Sequence, residues 1–385
     1  MPKSPLLPIF LIVSVDVLGL TIILPLLPFY AEKYGASPAV VGLLVSSYAV
    51  CQLISGPMLG RWSDHMGRRP LLLVSQLGTF IGFLILAYAN ALWLIFLSRV
   101  IDGLTAGNLS LAQAYISDVT KPEDRAKSFA LIGIAFGMGF LIGPAISGFL
   151  VQYSYQYPIF AAAALSATSI LATYFLLPSG APTAGDPLTP RKFTVLDWGN
   201  YLRYFRQPGL APLLWQFLAF ALTFSMFMSG FPLFAERRFN WHNQPFGPKE
   251  VGYVYAYLGL LGVILQGGLI GRLVKIFGEP NLVRAGFFCG MAGLAALGFT
   301  YGVLPLLLVA AVASSGMGAI RPALTSLITQ KAARSEQGVV LGLTQSLNSI
   351  AAIVAPAVGG LLIDHSLLAP WALLAAGISG AALFF

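Results

Sequence analysis

Twelve long apolar stretches divide the chain, and they limit the folds that it can adopt. Their lengths are close to the roughly 20 residues that a helix needs to cross about 30 Å of hydrocarbon. Runs such as residues 128–150 do not show the strict polar–apolar alternation of membrane β-barrel strands. The sequence therefore predicts an all-α membrane protein with twelve transmembrane helices, at residues 8–30, 38–60, 71–89, 91–117, 128–150, 157–177, 210–235, 251–271, 285–301, 303–320, 338–363 and 366–385.

Charge is scarce and is placed mainly between these stretches. Charged residues make up 9% of the 385 residues, against about 25% in a soluble domain. The net charge of +8 would suit nucleic-acid binding, but only Asp16, Arg99 and Asp102 lie inside an apolar stretch. With a cytoplasmic N-terminus, cytoplasmic loops hold 17 Lys and Arg residues and outer loops hold 4. This bias predicts that both termini are cytoplasmic, and it excludes a nucleic-acid-binding surface.

The longest break between stretches, residues 178–208, separates two sets of six helices. At an offset of 212 residues Pro144 aligns with Pro356, and at 211 residues Gly67 aligns with Gly278. We therefore predict two pseudo-symmetric six-helix halves, residues 1–177 and 209–385. The cytoplasmic linker between them is expected to include an interfacial helix. In transporters built this way, the substrate site lies between the halves near the middle of the membrane.

A loop of unusual composition, GRWSDHMGRRP, occupies residues 60–70. Gly60 would allow two helices to approach closely, Gly67 permits a tight turn, and Asp64 can accept charge-assisted hydrogen bonds. The loop resembles the cytoplasmic signature of the major facilitator superfamily, G-x-L-A/S-D-K/R-x-G-R-K/R. The matching residues are Gly60, Ser63, Asp64, Gly67, Arg68 and Arg69.

Further segments resemble the drug:proton antiporters of that superfamily. Residues 97–108 resemble the fourth-helix motif with its intramembrane Arg, and residues 139–148, GFLIGPAISG, resemble the fifth-helix motif, with Ser147 in place of a glycine. Residues 16–30 and 112–133 resemble the tetracycline-efflux branch. The resemblance covers the whole chain and implies the twelve-helix major facilitator fold.

This resemblance implies roles for the motif residues in gating. Asp64 would face the start of the eleventh helix near Ser335, and Arg68 would be within reach of Asp118, with Arg125 as a further partner. A smooth face on the fifth helix would seal the two halves against each other, through Gly139, Gly143, Pro144 and Gly148. Ordinary surface ion pairs and generic small-residue packing remain the alternatives for these two groups.

The three intramembrane charges are candidates for proton coupling. A charge in hydrocarbon costs about 2.5–3.5 kcal/mol or more, so such residues usually face a cavity and have partners. Arg99 and Asp102 are spaced as neighbours on one helix face. Our hypothesis is that Asp16 and Asp102 carry the coupling protons and that Arg99 modulates them. In the alternative, Arg99 and Asp102 form a static pair and Asp16 is a packing residue. The second half contains no intramembrane charge before Arg321, which the sequence places at a cytoplasmic helix end.

Helical spacing indicates faces that could line a substrate cavity. Aromatic side chains with a few amides suit a bulky, partly apolar organic molecule, although each residue could instead face lipid or pack between helices. Related tetracycline transporters carry acids in the third and ninth helices, whereas residues 71–89 and 285–301 contain none, so metal-chelated tetracycline is not the expected cargo. The candidates are Tyr48, Gln52 and Ser55, then Gln113, Gln216, Phe220, Thr223, Phe227, Tyr253, Tyr257, Gln345 and Asn348.

Together these features predict a proton-coupled antiporter that exports amphiphilic drugs or related small organic molecules by alternating access. A lipid flippase or an uncoupled metabolite carrier of the same fold is the alternative. An enzyme is not expected, because His65, His242 and His365 lie in loops and the spans show no metal or nucleophile motif. We expect a monomer in a bacterial inner membrane whose partners are the substrate, protons and membrane lipids. No cofactor or metal is expected.

Overall fold

A computed structural model describes residues 6–120, 125–177, 203–332 and 337–385, and its regular structure is almost entirely helical. The helices before residue 178 are α1 (Leu6–Ile23), α2 (Leu27–Lys33), α3 (Pro38–Met66), α4 (Arg68–Ala87), α5 (Leu92–Leu104), α6 (Asn108–Val119), α7 (Arg125–Leu150) and α8 (Gln156–Leu176). The elements after residue 203 are α9 (Ala211–Arg238), the two-stranded hairpin β1 (Asn240–Trp241) and β2 (Gln244–Pro245), α10 (Pro248–Ile264), a π-helical turn (Leu265–Leu269), α11 (Ile270–Phe277), α12 (Glu279–Leu297), α13 (Val303–Lys331), α14 (Gln337–Asp364), α15 (Leu368–Ala381) and a 3₁₀ turn (Ala382–Phe384). The expected interfacial helix falls mostly on residues outside these ranges.

The helices match the predicted all-α membrane fold. Within the described ranges, ten helical segments are long and apolar enough to cross a membrane, and the bent pair α1–α2 makes an eleventh. The twelfth predicted span corresponds to a shorter apolar segment, Leu368–Phe384. The class is therefore confirmed, while several spans differ from the uniform helices that the sequence predicts.

Three predicted spans are interrupted. The first bends by 42° between α1 and α2, because Pro25 and Pro28 lack backbone N–H groups and restrict the residues before them. The fourth is broken between α5 and α6 at residues 105–107. The eighth consists of α10, the π-helical turn and α11 in succession.

The tenth span is longer than predicted. Its helix, α13, continues past residue 320 to Lys331. The sequence places Arg321 at the end of its helix, and the structure corrects this bound: the helix continues to Lys331, so Arg321 lies in its interior. The error arises because a hydropathy reading ends a span at its first charged residue, whereas backbone hydrogen bonding continues through it.

Two compact units make up the chain, and both are helical. The first comprises residues 1–34 and 47–196. In it α1 packs against α7 and α8, and α4 packs against α5 and α8. The second comprises residues 35–46 and 197–385. There α12 packs against α13 and α15, α9 packs against α14, and Trp371, which is fully buried, stacks on Phe234.

The beginning of α3 belongs to the second unit. Its Gly42 lies so close to the carbonyl oxygen of Pro356 in α14 that a Cβ atom would overlap it, and Gly360 stands in the same relation to the carbonyl of Pro38. The Ser46 hydroxyl donates a hydrogen bond to the carbonyl of Ile353 at 2.6 Å. Small side chains at both helices therefore permit backbone contact.

The predicted repeat is visible in two matching turns. Gly67, between α3 and α4, has φ +93° and ψ 154°, and Gly278, between α11 and α12, has φ +74° and ψ 155°. Few residues other than glycine adopt these angles. Each turn begins the helix that follows it, so both halves use the same local connection.

Candidate functional site

An arginine and an aspartate are buried together on α5. Arg99 Nη1 lies 3.2 Å from Asp102 Oδ2, and each residue is 4% exposed. The two residues are one helical turn apart, which places their side chains on the same face. Thr79 of α4 is a hydrogen-bonding neighbour of the Asp102 carboxylate.

Two glycines allow neighbouring helices to reach this pair. A Cβ atom on Gly82 of α4 would lie 3.1 Å from the carbonyl oxygen of Ser98 and 3.2 Å from Cβ of Asp102. On Gly103 of α5 it would lie 2.6 Å from the carbonyl oxygen of Tyr48 in α3. Both positions exclude a larger side chain, so α3 and α4 approach α5 beside the ion pair.

The second acid, Asp16 of α1, lies in an adjacent polar group. Its carboxylate has the side chains of Gln76 in α4 and Ser169 in α8 as hydrogen-bonding neighbours. Gln76 and Ser169 are fully buried, and Gln76 Nε2 donates to Ser169 Oγ at 2.7 Å. Two helices, α4 and α8, thus supply one polar group each beside this carboxyl of α1.

The two groups form one cluster. Asp16 and Asp102 are close enough to interact electrostatically, and the Tyr48 hydroxyl lies near both Asp102 and Arg99. Gln52 Nε2 donates to the Tyr48 hydroxyl at 3.3 Å. The structure therefore brings together Asp16, Arg99 and Asp102, and with them Tyr48 and Gln52, which the sequence assigns to a substrate cavity.

Three members of the cluster were not predicted: Gln76, Thr79 and Ser169. In the sequence they appear only as an amide and two hydroxyls inside apolar stretches. Such residues are common in membrane helices, so their presence alone does not indicate a site. Amides and hydroxyls can donate to a carboxylate or accept from a carboxylic acid. Within the part of the chain that the structure describes, Gln76 Oε1 and Arg99 Nη2 have no hydrogen-bond partner. The cluster therefore has hydrogen-bonding capacity for both charge states of Asp16.

The break between α5 and α6 follows Asp102 directly. Ser75 of α4 bonds to the backbone there: its hydroxyl donates to the carbonyl of Thr105 and accepts from the N–H of Gly107 at 2.9 Å, and this N–H also donates to the Thr105 carbonyl at 2.7 Å. Interrupted helices inside a membrane are tolerated where neighbouring groups satisfy the backbone.

The motif of residues 60–70, expected to be a loop, forms the last turns of α3, the Gly67 turn and the start of α4, and its side chains form a charged cluster. Arg68 Nε donates to Asp118 Oδ2 at 2.8 Å, and Arg68 Nη1 pairs with Asp64. The guanidinium of Arg69 donates to the carbonyl of Tyr174 and lies 5.3 Å from the centre of its ring. The predicted contact of Arg68 with Asp118 is present.

Other predictions for this motif differ from the structure or lie outside it. Among the residues described, no atom comes within 4 Å of a Cβ on Gly60, so Gly60 does not mark a close helix approach here. The predicted partner of Asp64, near Ser335, lies outside the described residues, and so does the side chain of Arg125.

The antiporter-like motif of α7 packs inside unit 1. A Cβ on Gly139 would lie 2.6 Å from Val17 Cγ1, one on Gly143 would overlap Thr21, and the Thr21 hydroxyl donates to the carbonyl of Gly139 at 2.9 Å. Pro144 and Gly148 are buried as well. Gly139 and Gly143 therefore serve the packing of α7 on α1, which is the alternative that the sequence left open.

The predicted cavity residues of the second half fall into two groups. Gln216, Phe220 and Thr223 are 8%, 5% and 0% exposed, and Gln216 Nε2 donates to the carbonyl of Ala382 at 3.2 Å. They pack inside unit 2 and present almost no surface to a ligand, because the predicted face of α9 meets α14 and α15. The remaining candidates retain exposed surface, namely Phe227, Tyr253, Tyr257, Gln345 and Asn348, and Gln113 in unit 1 is exposed too.

The described residues include no group of three His, Cys, Asp or Glu side chains placed to hold a metal ion.

Comparison with known proteins identifies the family. The family model of the Major Facilitator Superfamily matches residues 9–356, with a second match over 268–385. The chain is 31% identical over 362 residues to the tetracycline resistance protein, class B, of Escherichia coli, covering 92% of this chain and 88% of that protein. It is 27% identical over 357 residues to the quinolone resistance protein NorA of Staphylococcus aureus, covering 92% and 88%.

A solved structure agrees on the fold. The crystal structure of the nucleoside transporter NupG superposes with a TM-score of 0.78 at 14% identity, covering 99% of this chain and 98% of that one. With its apolar helices and bacterial relatives, the protein is an integral membrane protein of a bacterial inner membrane. The chain belongs to the Major Facilitator Superfamily, a family of membrane transporters.

Proposed function

We propose that the protein is a proton-coupled antiporter that exports amphiphilic drugs or related small organic molecules by alternating access. The observation that carries this proposal is the polar cluster of unit 1, in which the half-buried Asp16 neighbours the buried Gln76 and Ser169, beside the buried Arg99–Asp102 pair. Intramembrane carboxyls are costly, and they characteristically mark proton relays in transporters.

The cluster is suited to carry a proton. When Asp16 is charged, the Gln76 amide and the Ser169 hydroxyl can stabilise it, and when it is neutral its O–H can donate to Gln76 Oε1. Asp102, by contrast, is paired with Arg99. In this proposal Asp16 exchanges the proton, and the ion pair responds to the charge on Asp16.

Two of the relatives support drugs as the substrate class. They are resistance proteins whose printed names refer to tetracycline and to quinolones. The membrane-embedded part of α4 and of α12 carries no Asp or Glu, unlike the tetracycline branch that the sequence resembles. We therefore propose an organic amphiphile that is transported without a chelated metal ion.

Substrate-driven proton movement tests the proposal. The purified protein would be placed in liposomes with a trapped pH-sensitive dye, and cationic, zwitterionic and neutral amphiphiles would be added. We expect substrate-dependent proton flux for the wild type and loss of at least ten-fold for Asp16→Asn. Asp364→Asn, which changes an exposed acid at the end of α14, is the matched control and should keep the wild-type flux.

Other results would contradict the proposal. Equal flux in the wild type and Asp16→Asn would remove Asp16 from the coupling path. Substrate or lipid movement without any proton flux would favour the uncoupled carrier or the lipid flippase.

A further inference from the structure

Arg321 lies in the interior of α13. The helix has 29 residues, Val303–Lys331, so it is about 43 Å long and extends beyond about 30 Å of hydrocarbon. About 15 Å of helix follows Arg321 before Lys331. Helical side chains lean toward the N-terminus of their helix, which directs Arg321 away from this nearer end of α13.

The face that carries Arg321 is polar. Ser314, Gly318, Arg321 and Thr325 follow the i, i+4, i+7, i+11 spacing of a single helical stripe. The lipid-facing residues of α13 lie elsewhere: Leu304, Leu308 and Val312 are 69%, 62% and 48% exposed. At about 100° per residue, Arg321 is half a turn of rotation away from Val312. Arg321 is exposed, on a different side of the helix from these exposed apolar residues.

No acid in the described part of unit 2 neutralises Arg321. Its guanidinium makes no hydrogen bond or ion pair with any residue that the structure describes. Three of the acids there are engaged elsewhere: Glu236 pairs with Arg237, Glu250 accepts from the N–H of Gly247, and Glu279 accepts from Ser326 and Gln330. The fourth, Asp364, lies at the end of α14. Among the residues that the structure describes, Arg321 is thus a cation without an anionic partner.

An irregular helical turn adjoins this stripe. A Cβ on Gly318 would lie 3.2 Å from Leu265 Cδ2, and Leu265 begins the π-helical turn. In that turn Gln266, Gly267 and Gly268 are exposed, and among the described residues no atom lies within 4 Å of a Cβ on either glycine. Such turns are frequent at functional sites, and this one leaves free space beside the polar stripe.

We propose that Arg321 binds an acidic group of the transported molecule, so that the preferred substrates are amphiphiles bearing a carboxylate or a similar anion. A guanidinium forms two parallel hydrogen bonds with such a group. In unit 1, by contrast, Asp102 already pairs with Arg99, so this carboxylate is not free to bind a cationic group. This inference rests on the proposed transport function and names its substrate class.

A matched pair of fluorescent probes tests the inference without a proton gradient. Rhodamine B carries a free carboxylate, and its ethyl ester differs only by masking that group. Binding of both to the full-length protein in nanodiscs of zwitterionic lipid would be followed by fluorescence polarisation. We expect the wild type to bind the acid at least about ten-fold more tightly than the ester, equivalent to about 1.4 kcal/mol.

The variants distinguish recognition from folding. Arg321→Gln should abolish the preference for the acid while leaving ester binding within about two-fold, and Arg321→Lys should retain part of the preference because the charge remains. Lys331→Gln, which removes one positive charge at the end of the same helix, should keep the full preference. Ester binding and size-exclusion profiles report whether each variant is folded.

Several outcomes would overturn the inference. The first is equal binding of the acid and the ester by the wild type. The second is an equal loss of binding of both probes in Arg321→Gln. The third is that added phosphatidylglycerol abolishes binding of the acid to the wild type but not to Arg321→Lys. The last result would assign Arg321 to a lipid phosphate. Failure of the proton-flux experiment with the acid preference intact would instead reject only the coupling mechanism.

Discussion

Two variants test whether the ion pair between Arg99 and Asp102 only stabilises the fold or also takes part in transport. Both residues are 4% exposed, so Arg99→Gln leaves a carboxylate buried without its cation, which typically costs about 3–5 kcal/mol. We expect a clear fall in the melting temperature of the purified protein. The double variant Arg99→Gln/Asp102→Asn removes both charges and should recover most of that stability, but not the substrate-driven proton flux.

A second arginine provides the control for this experiment. Arg284→Gln changes an exposed residue on α12 and should alter neither the melting temperature nor the flux. Full coupled transport by the stable double variant would mean that the pair is static, as the alternative interpretation holds.

At the residue scale, the sequence predicts charges better than neutral polar groups. Asp16, Arg99 and Asp102 are identifiable because a charge inside an apolar stretch is energetically costly and usually has a functional role. Gln76 and Ser169 are not, since an amide or a hydroxyl among apolar residues can bond to the backbone of its own helix. For the same reason the sequence predicts Gln216 and Thr223 on the wall of a substrate cavity, although both side chains are buried inside unit 2.

The helices themselves depart from regularity near the functional residues. The sequence predicts where spans lie because hydropathy depends on composition alone. It does not predict the break after Asp102, since that depends on Ser75 from another helix satisfying the freed backbone groups. The prolines between α1 and α2 do indicate the bend there, so part of the departure from regular helices can be predicted from the sequence.

The role of Ser75 can be measured directly. Ser75→Ala removes one hydrogen bond from the carbonyl of Thr105 and one from the N–H of Gly107, which still bond to each other at 2.7 Å, so each lost bond costs about 0.5–1.5 kcal/mol. We expect a lower melting temperature together with weaker proton flux, because α5 carries Asp102 next to the break. Ser110→Ala, an exposed hydroxyl on α6 that bonds to the carbonyl of Gly107, should change neither. If both variants melt like the wild type, Ser75 does not hold the break.

For the whole molecule, duplication explains the connections but not the chemistry. Gly67 and Gly278 form equivalent turns, and Pro144 and Pro356 lie inside equivalent helices. The charges do not repeat: the membrane-embedded acids are in unit 1, whereas unit 2 contributes Arg321. The turns and prolines thus match between the two units, whereas the charged residues differ.

One helix, α3, belongs to both units, and its glycine contact allows a test at this scale. Gly42 faces the backbone of Pro356, and Gly360 faces that of Pro38, with no room for a side chain at either position. Gly42→Val and Gly360→Val should each cost about 1–3 kcal/mol through overpacking. They should also slow substrate transport, because residues 38–46 could no longer pack against α14. Gly377→Val, where no described atom lies within 4 Å of a Cβ, controls for valine in a helix. Melting temperatures and initial transport rates equal to those of Gly377→Val would show that this contact limits neither stability nor transport.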